Sequence, residues 1–357
     1  MRRVTLLVGE GIGPEVMAVA ERVVQAVSDV SFERAEIGRG ALERLGSALP
    51  SSTLDSISRN GVALKGPVAT PSASQSYRSV NVALRKPLGL FAQLRTVRTW
   101  PGLGVPDGVD LVVARETTEE FLAGAEFPSG SAGARRALEL AVEATGTDLD
   151  LSSAVSMKLV SPAATQRFFR LLFDWMHTAG RHRVTVAHKA TIQRSTDGLF
   201  LALAREMAAA EPSIEMDELL VDAVAAELCR HPADFDVIAC PALYGDILSD
   251  LAAGLMGGLG LAPGANLGGA VAVFEPVHGT APRLAGRDRA NPTAAVLTAA
   301  MLLDHLGLQP AAAAVREAVA GVFRRRAGAT YDVADRLGCE VVGTSRFGDL
   351  LLDELAR

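Results

Sequence analysis

Two carboxylates four residues apart, Asp246 and Asp250 in the run Pro241-Ala-Leu-Tyr-Gly-Asp-Ile-Leu-Ser-Asp250, carry the first chemical signal in this chain. Residues at i and i+4 share a helix face, so both can reach one cation. The run Phe235–Cys240 before them reads as a strand ended by Pro241. The small-residue pattern after them reads as a helix running into Gly257-Gly258. Carboxylates where a strand gives way to a helix lie where α/β proteins hold ligands. The plain alternative is an N-cap at Asp246 and a solvated first-turn acid at Asp250. Arg85, Arg95 and Arg115 add guanidinium forks suited to carboxylates, although any one of them alone fits a surface ion pair. Only four of the 35 basic residues are lysines, Lys65, Lys86, Lys158 and Lys189, so an amine base must be one of these.

Such groups need rigid supports. A chain of 357 residues with 49% apolar and 21% charged residues predicts a two-lobed α/β enzyme. A net charge of −6 argues against a nucleic-acid partner while leaving room for a local basic pocket. Cys229, Cys240 and Cys339 are an odd set without metal-ligand spacing and read as buried, reduced thiols, which points to the cytoplasm. The first 20 residues lack signal-peptide features, and no run approaches the roughly 18 apolar residues of a membrane span. A soluble protein with no membrane partner is expected.

Along the chain, Val4–Val8 reads as a strand and Val16–Val27 as a helix. The intervening Gly9-Glu-Gly-Ile-Gly-Pro-Glu15 lacks the third-glycine spacing of a dinucleotide fingerprint and reads as a tight turn, with Pro14 opening the helix. After a polar loop from Thr70 to Ser79, an amphipathic segment spans Val80–Leu90 and a strand Leu94–Trp100. Pro101, Gly102, Gly104 and Pro106 then mark a domain crossing. Further on come a strand over Gly108–Ala114, a helix over Thr165–His177 and a strand over Arg183–Ala187. A glycine-rich stretch from Gly254 to Gly269 and a helix over Thr293–Leu306 follow. Repeats and low-complexity tracts are absent, so the lobes should interleave by chain crossings.

Several motifs fall in one order: Gly9-Glu-Gly-Ile-Gly-Pro-Glu-Val16, Leu84-Arg85, Leu94-Arg95, Arg115-Glu116, His188-Lys189, Leu220-Val-Asp222, Gly245-Asp-Ile-Leu-Ser-Asp250, Gly257–Pro263, His278-Gly-Thr-Ala-Pro282 and Asn291-Pro292. Over nearly the whole chain this set resembles the isocitrate and isopropylmalate dehydrogenase family. The resemblance implies two interleaved α/β lobes around a shared mixed sheet. Residues 1–100 with 255–357 would form the cofactor-binding domain, and 101–254 the metal and dimer domain. It further implies NAD(P)-linked oxidation of a 2-hydroxy acid chelated to Mg2+ or Mn2+, loss of the β-carboxylate as CO2, and a homodimer with shared active sites.

By the same resemblance, Asp246 and Asp250 hold the metal together with Asp222 of the other subunit, and Arg85, Arg95 and Arg115 hold the carboxylates. Lys189 matches the catalytic lysine that works with Asp222, and neighbouring cations should favour its neutral form. Ser79 and Asn81 occupy positions that meet a third acidic arm, as in isocitrate or an analogue, although Ser79 could equally cap a helix. Thr70, Glu275, His278, Gly279, Thr280, Ala281, Arg283, Asn291 and Tyr331 match the cofactor site. Arg283 and Tyr331 lean towards NADP, whereas Ala290 and Asp335 match the NAD pattern, so NADP or NAD is expected.

The chain departs from the family pattern at Leu122, which replaces a catalytic tyrosine, and at Gly89, Thr191 and Ala242. Tyr77 is the best-placed substitute proton donor. The departures keep two alternatives open. One is a dehydrogenase of another substituted malate or tartrate with weak decarboxylation. The other is a catalytically silent regulatory subunit, which has no need of such a costly charge cluster.

Overall fold

The computed structural model describes residues 2–69, 79–103 and 108–357. Its strands are β1 (Arg3–Leu7), β2 (Ser31–Ala35), β3 (Val62–Lys65), β4 (Leu90–Arg98), β5 (Asp110–Glu116), β6 (Glu126–Phe127), β7 (Val155–Ser156), β8 (Arg183–His188), β9 (Glu215–Leu220), β10 (Val237–Cys240), β11 (Pro263–Gly268) and β12 (Ala272–Pro276). A mixed sheet of 10 strands runs in the order β2-β1-β3-β12-β11-β4-β5-β10-β8-β9, and β6 and β7 form a separate pair. Strands from residues 3–98 and 263–276 fill one half of the sheet. Those from 110–240 fill the other half, and the two meet at the antiparallel β4–β5 pair.

Burial on both faces explains the composition of the central strands. In β5, Asp-Leu-Val-Val-Ala-Arg-Glu is buried from Leu111 onward, as expected of a strand covered by helices on both sides. The helix Thr293–His305 is apolar around nearly its whole circumference and runs through the core. Beside it pack the helices Gly13–Val27 and Gln309–Arg325, and the helix Thr344–Leu355 packs on those two. Phe168, Phe169, Phe173 and Phe200 from the helices Pro162–Ala179 and Thr196–Ala209 join the same buried cluster. None of the helices is long and apolar enough to cross a membrane among the described residues.

Several expectations are corrected. The segment expected over Val80–Leu90 is helical only over Val80–Arg85. Gly89, in the left-handed region at φ +62°, then starts β4 at Leu90 instead of Leu94. The glycine-rich stretch contains β11, which lies antiparallel between β4 and β12. The helix carrying the two aspartates spans Ala242–Leu255, so Asp246 lies within it and is not its N-cap. Ser79 precedes the Val80–Arg85 helix without a side-chain cap. Of the thiols only Cys240 is buried, while Cys229 is exposed and Cys339 half-buried.

Candidate active site

Strand alternation gathers the charged groups. In the β4–β5 register Gln93 faces Arg115, and Arg95 lies one step of period 2 along, so all three side chains share a face. Arg85 reaches the same place from the last turn of the Val80–Arg85 helix. Gly245 allows the aspartate helix to lie on β5, since a Cβ there would come within 2.5 Å of the Arg115 Cβ. The result is a cavity of about 300 Å³ where Asn81, Arg85, Arg95 and Arg115 meet Asp246.

Arg95 spans both carboxylates, with Nη1 2.6 Å from Asp250 Oδ1 and Nη2 3.1 Å from Asp246 Oδ1. The Arg115 Nη2 is 2.9 Å from the same Asp246 oxygen. Burial, reinforced by the like charge of Arg95, pushes Arg115 down to about 10. Burial lowers Arg85 as well. The Nε atoms of Arg85 and Arg95 and the Oδ1 of Asn81 are buried without a partner among the described residues. Buried polar atoms are rarely left so, and these suit a polyanionic ligand with polar arms.

The opposite wall carries the predicted cofactor residues Glu275, His278 and Gly279. The Nδ1 of His278 lies 3.0 Å from the Gly279 carbonyl. Its Nε2 is buried and unpartnered among the described residues, and burial pushes the imidazole below its ordinary pKa. The Thr280 carbonyl accepts the Ile12 N–H at 3.0 Å. It lies 2.0 Å from where a Gly11 Cβ would be, which accounts for glycine in the first turn. Ala281 holds a positive φ of +37°, a strained backbone conformation. Asn291 donates to Asp332 at 2.9 Å and accepts from the Thr293 N–H at 2.9 Å. Arg283 is exposed, and Arg289 lies over the Tyr331 ring at 5.0 Å. Thr70 and Tyr77 lie outside the described residues.

Asp246 and Asp250, with 54% and 52% of their side chains exposed, offer hard oxygens on one helix face and fit a divalent ion as part of its ligand set. Asp222 does not join them. It accepts from Lys189 Nζ at 2.5 Å, and neither residue lines the cavity. That hydrogen bond holds the Asp222 carboxyl below its ordinary pKa. Among the described residues no group of three acidic or sulfur and imidazole ligands forms within one chain.

Lys158, one of the four lysines available as an amine base, sits in a buried hub. Its Nζ is 2.5 Å from Asp197, 3.0 Å from Glu120 and 4.6 Å from the Tyr244 ring centre. Asp197 also accepts the Lys189 N–H at 2.7 Å, and Glu120, at φ +57°, accepts the Leu243 N–H at 2.6 Å. Tyr244 therefore borders a charged cluster. A lysine in an otherwise lysine-poor chain was the available signal. Leu122 lines the cavity two residues beyond Glu120.

The chain is similar to known proteins over nearly its whole length. Residues 3–351 match the model of the isocitrate/isopropylmalate dehydrogenase family. A 3-isopropylmalate dehydrogenase, chloroplastic, from Solanum tuberosum is 40% identical over 321 residues, covering 89% of this chain and 84% of the relative. The isocitrate dehydrogenase (NAD) catalytic subunit 5, mitochondrial, from Arabidopsis thaliana is 38% identical over 354 residues, covering 98% and 88%. The crystal structure of isocitrate dehydrogenase from Methylococcus capsulatus superimposes with a TM-score of 0.89 at 38% identity, covering 100% of both chains. With that match over nearly its whole length and that likeness of fold, the chain belongs to the isocitrate/isopropylmalate dehydrogenase family of oxidoreductases.

Proposed function

We propose that the chain catalyses metal-dependent, NADP- or NAD-linked oxidative decarboxylation of a 2-hydroxy acid with a third acidic arm, isocitrate or a close analogue. The observation carrying this reading is the convergence of Arg85, Arg95 and Arg115 on Asp246 in one cavity, beside the His278-Gly279 wall. The Arabidopsis and Methylococcus relatives, both named isocitrate dehydrogenases, support it.

Each guanidinium fork binds one carboxylate and fixes the substrate for reaction. When bound at Asp246 and Asp250, Mg2+ or Mn2+ supplies a Lewis acid that lowers the pKa of the substrate hydroxyl, and the dinucleotide supplies the hydride acceptor. Lys189 Nζ, held by Asp222, takes the hydroxyl proton in the complete site.

That complete site is read as a homodimer. Ile192, Leu243 and Ile247 are exposed apolar residues beside Lys189 and Asp246, suited to burial against a second copy that supplies Lys189 and Asp222. A heteromeric assembly is the second reading, favoured by relatives named as subunits. Weak decarboxylation is a further reading, favoured by the apolar Leu122 in the cavity.

The test is a panel of isocitrate, homoisocitrate, isopropylmalate, malate and tartrate with Mg2+ or Mn2+, measuring NAD(P)H and CO2 separately. A tricarboxylate should give the highest kcat/KM. A clear preference for isopropylmalate would overturn the third acidic arm, and NAD(P)H without CO2 would favour the weakly decarboxylating reading.

A further inference from the structure

Along the cavity, a line of buried polar side chains crosses five strands. Lys65 of β3 pairs with Glu275 Oε2 of β12, and Glu275 Oε1 accepts from Asn266 Nδ2 of β11 at 2.7 Å. Asn266 Oδ1 accepts from Gln93 Nε2 of β4 at 3.2 Å, and Gln93 Oε1 accepts from Arg115 Nε of β5 at 2.7 Å. Strand register explains the alignment. Asn266 faces Gln93, Gln93 faces Arg115, and the Phe274–Leu64 pairing brings Glu275 beside Lys65.

The chain of bonds has a direction. A carboxylate only accepts, so Asn266 must present its NH2 to Glu275 and its oxygen to Gln93. Gln93 must then present its NH2 to Asn266 and its oxygen to Arg115. Gln93 and Asn266 are both only 3% exposed, so their amides are satisfied mainly by this line. The amide orientation at Gln93 is thus dictated from Glu275, two strands away. It uses the Arg115 Nε–H, while Nη1 is spent on the Ala242 carbonyl at 3.1 Å. Nη2, which meets Asp246 at 2.9 Å, remains turned towards the cavity.

We infer that Gln93 is a positioning residue that fixes the Arg115 fork for the substrate, its amide set by the Asn266–Glu275–Lys65 line from the cofactor wall. This rests on the proposed role of Arg115 as a substrate arginine. Part of its test needs no substrate. In protein labelled with 15N-arginine, one slowly exchanging Nε–H signal, assigned by its loss in Arg115→Lys, should exchange about tenfold or more faster in Gln93→Met. An unchanged signal would overturn the Gln93–Arg115 bond as a restraint, whatever the substrate proves to be.

With isocitrate, Mg2+ and NADP as probes, Gln93→Met should raise the KM for isocitrate about tenfold while leaving the KM for NADP within about twofold. Asn266→Leu, which frees the Gln93 amide to turn, should shift the KM for isocitrate in the same direction by less. The double variant should be no worse than Gln93→Met alone. Equal rises in both KM values would mark general loosening, and additive losses would mark independent sites. Either result overturns the inference. A wild type inactive on isocitrate would count against the proposed function and leave the exchange experiment to decide this one.

Discussion

Lys189 Nζ lies 2.5 Å from Asp222 Oδ1, and the pair stands outside the cavity in which Arg85, Arg95 and Arg115 meet Asp246. On the proposed reading a single chain presents two incomplete parts of one catalytic set. If two copies complete each other, inactive Lys189→Ala and inactive Asp246→Asn chains should complement when co-expressed. Random pairing would restore about a quarter of wild-type activity, because each mixed dimer rebuilds one intact site and spoils the other. Complementation that stays at background would show that both parts serve the same chain.

Replacing Asp246 by Asn tests the metal role. The amide removes one hard anionic ligand, and it also takes a partner from Arg95 and Arg115. Activity should fall by about a hundredfold or more and recover in part at high Mn2+, with little change in Tm because Asp246 is half exposed. Full turnover of the wild type in excess chelator would remove the metal from the reaction.

The placement of the aspartate pair was legible in the sequence, since Asp246 and Asp250 at i and i+4 do share a helix face and one guanidinium. Gly9-Glu-Gly was rightly read as a turn, but its purpose, contact with the Thr280 carbonyl, depends on residues far away in the chain. What remained hidden was of that kind. Lys158, Asp197 and Glu120 come from three separate segments, and Gln93, Asn266, Glu275 and Lys65 from four strands. Strand alternation marks Gln93 and Arg95 as one face, yet which strand lies beside β4 is set by topology. The insertion of β11 between β4 and β12 had no signal in a stretch read only as glycine-rich.

The Lys65–Glu275 pair gives a pH signature. Burial opposes the Glu275 charge, but Lys65, with Asn266 and Arg85, pushes its pKa down to about 2 from an ordinary 4.5. A carboxyl with a depressed folded-state pKa stabilises the fold above its unfolded value, and that stability is lost as pH falls from about 4.5 towards about 2. In Lys65→Met the buried carboxylate loses its paired cation, so the loss should be about 3–5 kcal/mol at pH 7. It should shrink as acid neutralises Glu275. Chemical denaturation at pH 7 and pH 4 checks this, and a penalty that grows towards pH 4 would contradict the assignment.

Cofactor choice should turn on the exposed arginines of the 279–290 loop. Arg283 stands five residues after His278, and Arg289 stacks on Tyr331. If they meet a 2′-phosphate, Arg283→Asp should lower kcat/KM for NADP about tenfold or more while sparing NAD. A wild type at least about tenfold better with NAD would show that these cations serve another purpose.

Leu122 sets the last prediction. It lines the cavity at the position where the resemblance calls for a phenol, so protonation of the carbon left by decarboxylation has no acid there. Hydride transfer precedes that step, which allows the two to be separated in a single turnover. Leu122→Tyr places a hydroxyl into the cavity from the short helix Glu120–Ala123, whose start is anchored by Glu120 to Lys158 and to the Leu243 N–H. A general acid contributes about a hundredfold, so formation of the protonated keto acid should accelerate by about tenfold or more while NAD(P)H formation and CO2 release change little. In parallel, Tyr77→Phe should slow that protonation alone if Tyr77 supplies the proton in the natural chain. If Leu122→Tyr leaves keto-acid formation unchanged and Tyr77→Phe slows it, Tyr77 is the acid and Leu122 shapes only the pocket. If neither substitution moves the rate of keto-acid formation relative to CO2 release, the proton comes from solvent, and the apolar side chain at 122 marks a site that never relied on a phenol.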